Sequence, residues 1–184
     1  MSQGSGMTQS VTIEPGTPEA LPSILKIEEA CFSAPWTRKM LEAELTGNQF
    51  AHFLLAKSVG QGGTGSAAII GYLCFWIVFE EVRLMNLAVV ESMRRRGIAS
   101  ALVTEALQAG LAQSATRALL EVRASNQAAQ SLYAGLGFHH VSTRPKYYTN
   151  PIEDAVLMEL ALILSGPRSA SRAIDVNGGQ VRPL

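Results

Sequence analysis

Residues 91–103 read ESMRRRGIASALV. Before them, EVRLMNLAVV (81–90) is a mostly apolar run that predicts a strand. After Gly97, the residues Ile98, Ala101, Leu102, Ala106 and Ala109 recur on one helical face and predict a long helix. The quoted stretch is therefore a strand-to-helix turn. Gly97 and the small Ala99 allow close approach of backbone or ligand, and a helix start leaves N–H groups without intrahelical partners. Such a turn can hold a pyrophosphate through amide donors and the helix dipole. Arg94, Arg95 and Arg96 add cations suited to phosphate oxygens. The plainer reading of the same residues is a solvated basic turn capping a helix. Neither a Walker loop nor a paired-glycine dinucleotide fingerprint is present.

Upstream of this turn, VTIE (11–14) predicts a short first strand. Residues 18–31 predict a helix that turns Leu21, Ile24, Leu25 and Ile27 inward. Pro35 interrupts the helical pattern, because helical geometry is disfavoured before a proline. A second helix is expected over 37–46, with Thr37 as its N-cap. HFLLAKSV (52–59) and AAIIGYLCFWIVF (67–79) predict two strands joined through the GQGGTG loop, 60–65. Downstream, ALLEVR (118–123) is a strand and NQAAQSLYAGL (126–136) a helix. FHHVSTRPKYY (138–148) and EDAVLMELAL (153–162) are closing strands. The order β-α-α-β-β-β-α-β-α-β-β predicts an α/β chain, a mixed sheet with helices on both faces.

The chain of 184 residues fits one domain with ends to spare, and 47% hydrophobic residues suffice for a core. Fifteen basic residues balance fifteen acidic ones, so no global field points to nucleic acid or a membrane surface. No apolar run reaches the roughly 18–20 residues of a membrane span. Cys31 and Cys74 lack metal or redox spacing and are expected as buried, reduced thiols, which suits the cytoplasm. Residues 1–10 carry neither the basic nor the apolar region of a signal peptide and are expected as a disordered lead-in, with Met7 a second candidate start. The polar segment 165–184 is expected as a disordered tail.

Four stretches together resemble one family. RRRGIA (94–99) fits the [QR]-x-x-G-x-[GA] signature of the GNAT N-acetyltransferase superfamily at a strand-to-helix junction. LEVRASNQAAQSLYAGLGF (120–138), EEACFSAPW (28–36) and KYYTNPIEDAVLM (146–158) resemble its ribosomal-protein-alanine N-alpha-acetyltransferase branch, the RimI type. The resemblance spans residues 11–164. It implies a mostly antiparallel sheet, splayed between the fourth and fifth strands, with acetyl-CoA in the splay. The backbone of Leu87, Ala88 and Val89 would pair with pantetheine, Arg94 to Ala99 (Arg94, Arg95, Arg96, Gly97, Ile98, Ala99) would hold the pyrophosphate, and Asn126 would bond the cofactor. Glu121 matches the branch's general base and Tyr133 its general acid. N–H groups near Val89 would face the oxyanion. No metal is implied. The acceptor implied is a protein N-terminus, namely the N-terminal alanine of ribosomal protein S18. Ala99 stands where a second glycine is commoner.

The residues themselves are compatible with that chemistry. A free α-amine has a pKa near 8, against about 10.4 for lysine, so one carboxylate is a sufficient base. Glu121 shares a strand face with Leu119 and Arg123; the alternative is a solvent-facing glutamate paired near Arg123. Tyr133 lies seven residues after Asn126, about two helical turns along one face; the alternative is a core tyrosine. A phenol near 10 protonates a thiolate near 8.5 only with good geometry or a lowered pKa. Ser125 and Asn126 are also helix-cap residue types. His139 and His140 are adjacent on a strand, so at most one reaches a cleft, and surface placement is expected. Pro35 and Trp36 are expected to order the peptide entrance, with Tyr147 and Tyr148 opposite. Rival functions are a GNAT acetylating lysine or a small amine, and a non-catalytic CoA-binding module.

Overall fold

A computed structural model describes residues 10–59 and 67–162; the expected lead-in before Ser10, the 60–65 loop and the tail lie outside the described residues. Seven strands form one sheet in the order β1-β2-β3-β4-β5-β7-β6. They are β1 (Ser10–Pro15), β2 (Ala51–Val59), β3 (Ala68–Val78), β4 (Glu81–Val89), β5 (Arg117–Arg123), β6 (His139–Thr149) and β7 (Ile152–Ala161). All neighbours run antiparallel except β4 and β5, which are parallel. The helices are α1 (Leu21–Cys31), α2 (Arg38–Glu42), α3 (Ile98–Ala112) and α4 (Gln127–Gly135). This is the α/β order that the sequence predicts, with β1 beginning at Ser10.

Alternation along the strands divides the core between the two faces of the sheet. On one face Phe53, Leu55, Tyr72, Cys74 and Ala88 pack against Leu21, Ile24 and Ile27 of α1 and Leu41 of α2. On the other, Leu54, Leu73, Phe75, Val82 and Leu84 pack with Leu102, Val103 and Ala106 of α3 and with Tyr133 of α4. The inward stripe of α3 differs from expectation at three residues: Ala101 is exposed, while Val103 and Gly110 are buried. Gly110 answers to a close approach, since a Cβ there would stand 2.1 Å from Val82 Cγ2. The second helix is shorter than the expected 37–46. Thr37 does cap it, its side chain accepting from Met40 N at 3.3 Å, but after Glu42 the chain widens into a π-type turn over Ala43–Gly47.

Two irregularities in β4 shape the middle of the sheet. The parallel ladder to β5 ends at the pair Leu84–Leu120, so β4 beyond Leu84 and β5 beyond Leu120 part company. On its other edge β4 carries an extra residue: Phe75 pairs with Leu84 and Cys74 with Asn86, leaving Met85 as a bulge.

Candidate active site

Where β4 and β5 separate, a cleft of about 790 Å³ opens. Leu87 and Val89 line one wall, with Glu121, Val122 and Arg123 opposite. One end is closed by the turn into α3 and the other by Pro35, Trp36, Tyr147 and Tyr148. The cleft therefore has a phosphate-like end and an aromatic end.

At the first end Gly97 adopts φ +78°, a left-handed conformation that favours glycine, and a Cβ there would meet nothing within 4 Å. α3 starts immediately after it and is long enough for a substantial dipole. Arg94, Arg95, Gly97, Ile98 and Ala99 line the cleft, whereas Arg96 is exposed and outside the lining. Arg94 already has a partner: its Nε donates to Val89 O at 3.0 Å, an oxygen that Cys31 Sγ also approaches at 3.7 Å. Arg95 is thus the freer cation. Ala88 turns its side chain to the α1 face and, unlike Leu87 and Val89, is not among the residues lining the cleft. An open glycine turn, amide donors and an adjacent guanidinium fit a pyrophosphate.

Asn126 and Tyr133 both line the cleft from α4. Asn126 caps the helix through Oδ1, which accepts from Ala129 N at 3.1 Å, so the amide nitrogen is what it has left for a ligand. The Tyr133 ring is buried edge-on against Phe138 at 5.7 Å. Burial, reinforced by nearby Tyr148, pushes its phenol up to about 12. Of the two routes to proton donation open in sequence, a lowered pKa is therefore not the one this phenol follows.

Glu121 opens onto the cleft, with its side chain about one quarter exposed. Its partner is Arg144 of β6, whose Nη1 donates to Oε1 at 2.9 Å, and not the neighbourhood of Arg123. Arg123 is engaged elsewhere. It donates to Asn150 O at 2.9 Å and Glu153 Oε2 at 3.2 Å, and lies 4.1 Å from the centre of the Tyr148 ring. His139 and His140 are both exposed and absent from the cleft lining.

Three residues of this region escape a reading by pattern: Arg144, Glu28 and Asn86. Glu28 sits on the stripe of α1 where Leu21 and Ile24 precede it at i−7 and i−4, and it is fully buried. Its Oε2 accepts from Trp36 N at 2.5 Å, and its Oε1 accepts from Asn86 Nδ2 at 2.9 Å and from the Tyr72 hydroxyl. Burial pushes its pKa up, against the opposing pull of these donors. A charge on an apolar stripe was the available signal. Cys74 is buried and Cys31 half-buried, and both are free thiols.

Residues 21–138 match the family described as Acetyltransferase (GNAT) family. The chain belongs to the GNAT acetyltransferases and is an acyltransferase enzyme. Two relatives within that family carry the name of the branch expected from EEACFSAPW (28–36), LEVRASNQAAQSLYAGLGF (120–138) and KYYTNPIEDAVLM (146–158). A ribosomal protein bS18-alanine N-acetyltransferase of Escherichia coli is 31% identical over 144 residues, covering 77% of this chain and 91% of that protein. The enzyme of the same description from Haemophilus ducreyi is 33% identical over 142 residues, covering 76% and 92%. The crystal structure of the E. coli ribosomal-protein-S18-alanine N-acetyltransferase superposes with TM-score 0.74 at 28% identity, covering 86% of this chain and 98% of the other. An Arabidopsis thaliana NAA60 structure with acetyl-CoA shares the fold, with TM-score 0.75 at 20% identity over 83% of this chain and 99% of that one.

Proposed function

We propose that the chain transfers acetyl from acetyl-CoA to the α-amine of a protein N-terminus in the cytoplasm, its acceptor being the N-terminal alanine of ribosomal protein S18. The observation that carries this reading is the convergence of Glu121, Asn126 and Tyr133 on one cleft that ends at the Gly97 turn. The backbone of Leu87, Ala88 and Val89 takes the pantetheine arm. The turn from Arg94 to Ala99, with Arg95 foremost, takes the pyrophosphate, and Asn126 contributes its amide nitrogen.

The amine attacks the thioester carbon, and Glu121 accepts the proton it loses. At pH 7 about one α-amine in ten is already neutral, against about one lysine in 2,500. A single half-buried carboxylate therefore suits an α-amine better than a lysine side chain. Collapse of the tetrahedral adduct breaks the C–S bond and leaves a thiolate. Handing a proton from a phenol at about 12 to a thiolate near 8.5 is uphill by about 5 kcal/mol. Tyr133 consequently acts as a hydrogen-bond donor to the departing sulfur and keeps its proton, and the thiolate takes a proton from solvent as CoA leaves.

The test measures CoA release with three acceptors at equal concentration: an alanine-initiated, arginine-rich peptide, a lysine peptide with a blocked N-terminus, and a polyamine. The expected order puts the free α-amine at least 10-fold ahead in kcat/KM. A lead for either other amine overturns the acceptor assignment, and acetyl-CoA binding without release on any amine overturns the enzymatic one. Mass spectrometry of S18 N-termini with and without the protein then checks the particular acceptor.

A further inference from the structure

Glu28 takes no part in the proposed transfer, yet it is the carboxylate buried completely among the described residues. No ion pair among those residues reaches it. Isolating a carboxylate from water costs several kcal/mol unless its lone pairs are taken. Here Trp36 N, Asn86 Nδ2 and the Tyr72 hydroxyl take them. The Trp36 N–H can only donate, so Oε2 is an acceptor, and an ionised Glu28 accepts at Oε1 as well. The carboxamide of Asn86 accordingly turns its nitrogen toward Glu28. The polar atom left to it, on the cleft that Asn86 lines, is the carbonyl oxygen, and no hydrogen bond among the described residues uses that oxygen.

The bulge is what brings these groups together. Val82 and Leu84 face α3, and unbroken alternation would turn Asn86 the same way. The extra residue Met85 resets the strand, so that Asn86 pairs beside Cys74 and joins the α1 face with Ala88. The same carboxylate that orients Asn86 also ties down Trp36, and with it the loop carrying Phe32 and Pro35 at the aromatic end. One buried charge thus fixes both an acceptor atom on the cleft wall and the loop across from it.

We propose that Asn86 binds the incoming amine, its carbonyl oxygen accepting an N–H of the acceptor, and that Glu28 is the positioning residue that sets the polarity of that amide and the stance of the Phe32–Trp36 loop. This rests on the reading of the cleft as an acetyl-transfer site. The contact selects acceptors by the presence of an amine, and it lies outside the cofactor half. A carbonyl oxygen directed at the nitrogen also orients its lone pair, since the N–H it holds must point away from the thioester.

The probes are an alanine-initiated peptide and its desamino twin, in which hydrogen replaces the N-terminal amine, bound competitively to the full chain in the presence of CoA. Wild type is expected to favour the amine-bearing peptide by about 10-fold, one charge-assisted hydrogen bond. Asn86→Ala is expected to reduce that preference to within about 2-fold while CoA affinity stays within about 2-fold. Glu28→Gln is expected to raise the acceptor KM about 10-fold with kcat changed less than about 3-fold, a split that a loss of folded protein does not produce. Should Glu28→Gln fail to fold, Asn86→Ala decides. An Asn86→Ala protein that keeps the preference, or loses CoA binding together with it, overturns the proposal, as does a wild type without the preference. Turnover of the peptide by wild type tests the functional reading separately: no CoA release ends both, whereas an active wild type with an unaltered Asn86→Ala ends only this one.

Discussion

The two ends of the cleft are built in opposite ways. The phosphate-like end comes from one contiguous segment, Arg94 to Ser100, in which a left-handed glycine starts a helix. The aromatic end is assembled from α1, the loop to α2, the middle of β4, and β6, which are brought together by tertiary packing. A local site needs only backbone geometry, so it tolerates sequence change wherever the turn survives. An assembled site depends on buried contacts that span the fold. Substitutions should therefore separate cleanly: those at the turn act on the cofactor, and those at the aromatic end act on the acceptor and on turnover.

The largest expected effect is at Glu121. Glu121→Gln should lower kcat by roughly 100-fold or more, with the acetyl-CoA Kd within about 2-fold in a titration. A matching loss of cofactor affinity would erase the division between the two ends. Tyr133→Phe comes next, with kcat down by roughly 10- to 100-fold. Because burial holds this phenol near 12, it stays protonated across the working range. The pH profile of kcat in wild type should then show no descending limb from Tyr133 below about pH 10. A falling limb that vanishes in Tyr133→Phe would mean that the phenol ionises earlier.

Gly97→Val tests the other end. A β-branched residue at φ +78° carries about 1–3 kcal/mol of strain, so acetyl-CoA binding should weaken about 10-fold while the acceptor KM holds. Arg144→Gln is the smallest. The Arg144–Glu121 pair is half-exposed on the arginine side and screened by water. Pairs of that kind are worth up to about 1 kcal/mol, so kcat/KM should change by less than about 5-fold. A larger loss would place Arg144 with the groups that matter to the reaction.

That division also explains what could be read from sequence. The turn at 94–99 declares itself, because strand, glycine and amphipathic helix succeed one another in the chain. That Asn126 and Tyr133 share one helical face was legible for the same reason, since they lie two turns apart, whereas their assignment to the site came from the family resemblance. The succession of strands and helices along the chain was legible because period-2 and period-3.6 segments alternate. Glu28 left a signal, a carboxylate on an apolar stripe, but its meaning depends on Tyr72 and Asn86, 44 and 58 residues away. Arg144 joins Glu121 across 23 residues through the pairing of β5, β7 and β6, which no local pattern specifies. The pKa of Tyr133 is set by burial among residues of several elements, so its direction was equally invisible.

Met85 matters less for its side chain than for its place in the count. Before it, the residues of β4 that face α3 carry even numbers, Val82 and Leu84; after it they carry odd ones, Leu87 and Val89. The residue is a parity switch. Its side chain lies partly buried beside the α1 cluster, so replacement by another flexible apolar residue should change little. Removing it is another matter. With Met85 deleted, either the half of β4 that meets β5 or the half that lines the cleft must turn inside out, and no choice of side chains elsewhere restores both.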